Sequence, residues 1–140
     1  MDAPLDPDRT KPTSHLVTGI VLRAFAAHPV WRRCPEAIQA GQLLATRIFR
    51  PDAYPDHGAR AYWTKLAYPF RWTDVVSTLD ALSLLGIGCA DRDVAEAVDW
   101  LVSQQRSDGT WRRGYAHSKD PCADLWVTYG ACRALARLLR

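Results

Sequence analysis

Two carboxylates and a run of aromatic rings are the side chains here whose types and spacing suit chemistry. Asp74 and Asp80 fall in the segment TDVVSTLDALSLLG, the most continuously apolar stretch of the chain. Burial disfavours a charged carboxylate and moves its pKa toward neutrality, so these two are the candidates for acid–base work. Six residues apart, they project from different faces of a helix. Just upstream, Tyr54, Tyr62, Trp63, Tyr68, Phe70 and Trp72 crowd a long connection without periodicity. Of these, Trp63, Tyr68, Phe70 and Trp72 form the candidate ligand-binding set. Their π faces suit an apolar ligand or a cation, and the alternative is a loop that folds back to plug one end of a helical array. Asp91-Arg92-Asp93 is a further acidic segment, placed where a helix N-cap is needed. His15, His28 and His57 show no partner pattern and are expected at the surface or in loops. Cys122, in the first turn of a helix, is placed for a lowered thiol pKa, or simply for packing.

The elements that must position these groups are helices. Leu16, Val17, Ile20, Ala24 and Phe25 share one face of a helix over His15 to Ala27, which Pro29 stops. A second helix is expected over Glu36 to Phe49, with Ala37, Ala40, Leu44 and Ile48 aligned. Thr73 opens a third, ended by Gly86-Ile87-Gly88 and apolar most of the way round, so it should be deeply buried. Asp93 and Glu96 form a capping-box pattern for a fourth, through Gln105. A last helix runs from Pro121 to about Leu139. No segment alternates as a strand would, and the fold class is all-α. Residues 1–13 read as a flexible polar tail and 14–140 as one domain.

The helices also echo one another. A shift of 57 residues lays Leu22-Arg23-Ala24-Phe25 on Leu79-Asp80-Ala81-Leu82, Glu36 on Asp93 and Leu44 on Leu101. A further shift of 53 brings in Cys132-Arg133-Ala134-Leu135. The chain therefore reads as a helix pair, a second pair and a single helix, with a more uniformly apolar member first in each pair. That order predicts an inner and an outer helix layer, and sets Asp80 level with Arg23 and Arg133, as a charge network between inner helices would require. The period exceeds the roughly 34 to 47 residues of common helical solenoids.

The stretch SQQRSDGTW, residues 103–111, ends the fourth helix with glutamines, a turn and a tryptophan. Gly109 can take the left-handed geometry that stops a helix. Gln105 can bond to exposed backbone of a neighbouring helix end, and the Trp111 indole can cover it. Gln105, Gly109 and Trp111 are thus expected to clasp consecutive helix pairs. This stretch resembles the Q-x3-G-x-W motif of squalene and oxidosqualene cyclases, shared in looser form by protein prenyltransferase β subunits. YPFRWTDVVSTLDALSLLG is similar to an inner-helix entry of the same superfamily. The resemblance spans residues 14–140 and implies α/α toroid-type helical hairpins, here about two and a half repeats of a partial barrel. Ile48 to Asp52 lacks the glutamine, glycine and tryptophan that the first repeat would carry.

What the resemblance implies about chemistry divides by branch. The cyclase D-x-D-D segment and the D-D-x-x-D metal box are both missing. Protein prenyltransferases hold zinc with an Asp-x-Cys pair and a histidine, which maps onto Asp120, Cys122 and His117, although no histidine follows Cys122. Such a set would leave zinc one open position for a thiolate. Capping explains the same residues, with Asp120 as N-cap and Pro121 at the first helical position. The sequence otherwise asks for no cofactor. Two and a half repeats leave a ring unclosed, which implies a homo-oligomer or a second subunit. The expected role is a structural or apolar-ligand-binding module, not catalytic alone. The alternative is an isoprenoid-handling enzyme whose site a partner chain completes.

Composition narrows the partners. Fifteen arginines against three lysines give a net charge of +3. They are scattered singly except at Arg32-Arg33 and Arg112-Arg113, which leaves no basic stripe for nucleic acid. No apolar run is long enough to span a membrane. Cys34, Cys89, Cys122 and Cys132 form no C-x-x-C pair, and the proline-rich start has no apolar core of a secretory signal. A reduced, cytoplasmic protein with free thiols is expected.

Overall fold

Helix-forming stretches and their stop signals divide the chain into five helices in the computed structural model, which describes residues 13–54, 60–69, 72–115 and 120–140. They are α1 (His15–Ala27), α2 (Pro35–Ala45), α3 (Val75–Leu84), α4 (Arg92–Ser103) and α5 (Ala123–Leu138), with short 3-10 turns at Trp31–Arg33 and Arg60–Thr64. The protein is all-α, with no strand among the described residues. No helix among them is long and apolar enough to cross a membrane.

Local chemistry sets the boundaries, and in four places differs from expectation. α3 starts one residue after Asp74, whose carboxylate accepts from the Ser77 N–H while the Ser77 hydroxyl accepts from the Asp74 N–H. This reciprocal box satisfies two donors that a helix start leaves without partners. α4 is capped by Asp91, whose Oδ1 accepts from Val94 N; the expected capping residue, Asp93, instead lies 3.7 Å from Arg50. α2 stops at Ala45 rather than Phe49. There Arg47 and Ile48 donate three residues back, to Leu44 and Ala45, and Phe49 takes a left-handed φ of 61°. Its ring is held edge-on to Trp100, with 5.5 Å between centroids. α5 starts at Ala123, two residues later than Pro121, because Asp120 Oδ1 accepts from Cys122 N and holds the entry outside the helix.

α3 is the centre of the packing. Every residue from Val75 to Leu82 is buried, including Ser77, Thr78 and Asp80. α1 and α5 both lie against α3, α2 packs on α1 and α3, and α4 packs on α3. The approach of α5 to α3 depends on Gly130, where a Cβ would sit 2.6 Å from the Tyr68 ring and 2.9 Å from Val76. One cluster of buried side chains, including Leu22, Leu44, Leu79, Val94, Leu101 and Val127, draws on all five helices. At roughly 25 cal/mol per Å² of apolar surface removed from water, this burial is the main stabilising term.

Candidate functional site

The segment 103–111 joins α4 to α5, with its parts in different roles from those expected. Gly109 is left-handed, at φ 83°, but it serves the tight turn after the helix. In that turn Gly109 N donates to Arg106 O and Arg106 N to Thr110 O. α4 itself ends earlier, at Ser103. Gln105 is exposed and its Nε2 donates to Gly109 O, 3.0 Å away, so it closes its own turn and does not reach a neighbouring helix. The exposed amide finds a carbonyl four residues on at less entropic cost than a distant one. Trp111 makes the tie. Its buried indole Nε1 donates to Leu101 O at 2.7 Å, and its backbone N donates to the Thr128 hydroxyl on α5.

Trp63 does the same work one helix pair earlier. It is fully buried, and its Nε1 donates to Arg50 O at 2.9 Å, just past the end of α2. Each tryptophan stands twelve residues before the next helix, Trp63 before Val75 and Trp111 before Ala123. The two incoming strands of loop touch, with Gly114 N donating to Leu66 O at 2.8 Å. The first pair therefore has a tryptophan tie, supplied from further along the chain than the motif spacing indicates. Trp63 is thus a packed residue of the loop.

Histidine 15 is also buried, contrary to the surface or loop place expected for it. Its ring lies 4.6 Å from the Trp63 ring, and its Nδ1 lies 3.3 Å from Asp52 Oδ2. Burial lowers its pKa, and the Asp52 carboxylate offsets part of that effect.

Asp74 is buried and engaged. Besides Ser77, its Oδ2 accepts from the Ala67 N–H, which anchors the loop before α3. Desolvation raises its pKa, and the hydrogen bonds from Ser77 and Ala67 oppose that rise.

Asp80 sits instead at the edge of a cleft of about 380 Å³ between α1, α3 and α5, lined by Arg23, Tyr68, Asp80, Leu84, Arg133 and Arg137 among others. Arg133 grips the Asp80 carboxylate through Nε at 2.9 Å and through Nη2. Arg137 Nη1 donates to the same carboxylate at 2.8 Å and to the Ser83 hydroxyl at 3.1 Å. Arg133 Nη2 also donates to the Tyr68 hydroxyl at 2.6 Å, and the guanidinium lies over the rings of Tyr68 and Tyr129. The hydrogen bonds that Arg133 donates to Asp80 raise the Arg133 pKa. Burial raises that of Tyr68, with the Asp80 charge adding to it. Arg23 reaches the cleft from α1 and donates to Pro69 O at 3.2 Å. The alignment of Arg23, Asp80 and Arg133 thus has a physical counterpart in one cleft. Arg137 was missed, although it lies one turn beyond Arg133 on the same face.

The remaining candidates fall partly outside the described residues. Cys122 is exposed, and Asp120 is spent in part on the Cys122 N–H. His117 and Phe70 lie outside the described residues, as do His57 and residues 1–12. No group of three His, Cys, Asp or Glu side chains among the described residues could hold a metal ion. All four cysteines are free thiols. Trp72 is half-buried beside the buried Thr73, whose hydroxyl donates to Leu16 O at 2.7 Å.

The outer faces of the end helices complete the surface. On α1, Val17, Ile20, Val21 and Phe25 are exposed, and with Ala37 and Ala40 of α2 they border a groove of about 340 Å³. On α5, Leu125, Trp126 and Tyr129 are exposed, at 60%, 47% and 52%. Neither helix carries a charged side chain among its fully exposed positions. Against this geometry, no protein-family model, curated protein or solved structure matches the chain.

Proposed function

We propose that this chain is a squalene cyclase- and prenyltransferase-like helical-repeat module, not catalytic alone, that works by association through the two flanks of its helix array. The observation that carries the proposal is the uncharged apolar outer face on both α1 and α5. Exposed apolar patches of that extent mark interaction surfaces in proteins that otherwise bury such residues. α1 and α5 lie against the same central helix α3, so a partner on either flank continues the array. The resemblance through Gln105, Gly109 and Trp111 supports the toroid-type reading, and two and a half repeats need further helices to close a ring. A second copy or another subunit supplies them, and an apolar small molecule fits the groove between α1 and α2. A cytoplasmic setting is in keeping with the free thiols.

A second reading rests on the α1–α2 groove: an isoprenoid-handling enzyme whose site a neighbouring subunit completes. Light scattering after size exclusion tests the first reading. Association predicts a defined mass above the 15.7 kDa of one chain. A monomer at every concentration that also ignores a hydrophobic dye would defeat it. Displacement of the dye by a long-chain prenol from the associated species alone would move the balance to the second reading.

A further inference from the structure

His15 and Asp52 are a buried pair of titratable groups, with 2% and 3% of their side chains exposed, at a place where three segments meet. His15 opens α1, Asp52 lies past the end of α2, and Trp63 belongs to the 3-10 turn at Arg60–Thr64. The imidazole lies against the Trp63 ring, with 4.6 Å between centroids, and Trp63 in turn donates to Arg50 O. Asp52 Oδ2 accepts from the His15 backbone N–H at 2.7 Å and lies 3.3 Å from Nδ1 of the same residue. Its Oδ1 accepts from Ala53 N at 2.7 Å. The first turn of α1 is held besides by the Ser14 hydroxyl, which accepts from Val17 N at a long 3.4 Å, and by Leu16 O, which accepts from Thr73. That turn and the next carry Val17, Thr18 and Val21, which wall the groove against α2.

A second proton on this ring has more against it than for it. The imidazole is withdrawn from water, which disfavours its charged form. It stands at the first position of a helix, where N–H groups without helical partners present positive charge. Among the described residues, Arg47 and Asp52 are the charged groups that act on the ring. Arg47, just past α2, opposes the proton, and Asp52 attracts it with a carboxylate that two backbone N–H groups already engage. A ring that leaves the junction regains water, so acid favours its departure. We propose that His15 is an acid-sensitive latch, whose protonation frees the first turn of α1 from Asp52 and Trp63 and so dismantles the groove on that flank. The consequence for association rests on the function proposed above, whereas the release takes place within one chain and stands without it.

The test is amide hydrogen exchange of the full chain at pH 7.5 and pH 5, read by mass spectrometry and corrected for the pH dependence of exchange in an unfolded peptide. The start of α1 should lose protection at pH 5 while α5 keeps it, because the opening is local. In His15→Gln, which takes no proton, protection of α1 should be the same at both pH values. Light scattering on the same samples should show the associated species giving way to monomer at pH 5 in the wild type and persisting in His15→Gln. Acid-dependent opening of α1 in a chain that is monomeric at both pH values supports the latch and defeats the association reading. Equal protection of α1 at both pH values in the wild type overturns the latch, as does an equal loss in His15→Gln. Dissociation at pH 5 with α1 still protected also overturns it. If His15→Gln lacks helical circular dichroism at pH 7.5, His15→Phe decides, since it keeps a ring against Trp63 and takes no proton.

Discussion

His15 stands at the first position of α1, yet its imidazole is buried against Trp63 and its backbone N–H donates to Asp52 at 2.7 Å. Two opposed effects act on the ring. Burial disfavours the imidazolium, and the nearby Asp52 carboxylate favours it; burial is the larger, so the pKa falls below its usual 6.5. The native state then binds fewer protons at this site than the unfolded chain does. Stability attributable to the site is complete above about pH 6.5 and is lost as the pH falls toward the lowered native value. Thermal melts between pH 7.5 and 5 should accordingly show a falling Tm, and His15→Gln should flatten that slope. A Tm that rises on acidification would mean that the Asp52 attraction governs the site instead, and an unchanged slope in the variant would assign the slope to other groups.

At the scale of elements, the two tryptophan ties make a paired prediction. Trp63 bonds to Arg50 O beyond α2, and Trp111 to Leu101 O in the last turn of α4. Each ties the end of one helix to the segment that enters the next. Phenylalanine at either place keeps an aromatic ring but loses the donor and some volume, at a cost of about 2 kcal/mol. Chemical denaturation of Trp63→Phe and Trp111→Phe should give similar losses. A neutral Trp63→Phe beside a costly Trp111→Phe would show that only the second is a tie. These residues also show what the sequence disclosed. Trp111 was legible because glutamine, glycine and tryptophan sit close together at a helix end. Trp63 was not, because the 3-10 turn that carries it has no period to read. α3 was legible from its unbroken apolar face, and its companions from their helical spacing. The end of α2 was hidden, since Phe49 adopts a left-handed conformation that its type rarely takes. Asp80, Arg23 and Arg133 emerged from aligning the helices, whereas burial of His15 depends on Asp52 and Trp63 meeting it across the fold.

For the whole molecule the decisive question is which flank meets which. α1 offers a groove edged by Val17, Val21 and Phe25; α5 offers the projecting Leu125, Trp126 and Tyr129. A groove and a ridge on opposite ends complement each other better than either complements itself. On the association proposed above, the expected contact is head-to-tail, of the heterologous kind that closes into rings or runs on. Two double variants separate this from a two-fold contact. Val21→Asp with Phe25→Asp removes the groove, and Trp126→Asp with Tyr129→Asp removes the ridge. Each alone should be monomeric, because a charge buried at an apolar interface costs several kcal/mol. Mixed in equal amounts, they should form one species of about 31 kDa, twice the 15.7 kDa chain, because each contributes the flank that the other has lost. A two-fold contact between like flanks would give no mixed species, since no intact flank would meet a copy of itself across the two variants. In that case the groove variant alone would still pair through its ridge, or the ridge variant through its groove, so light scattering on the separate samples identifies the flank in use.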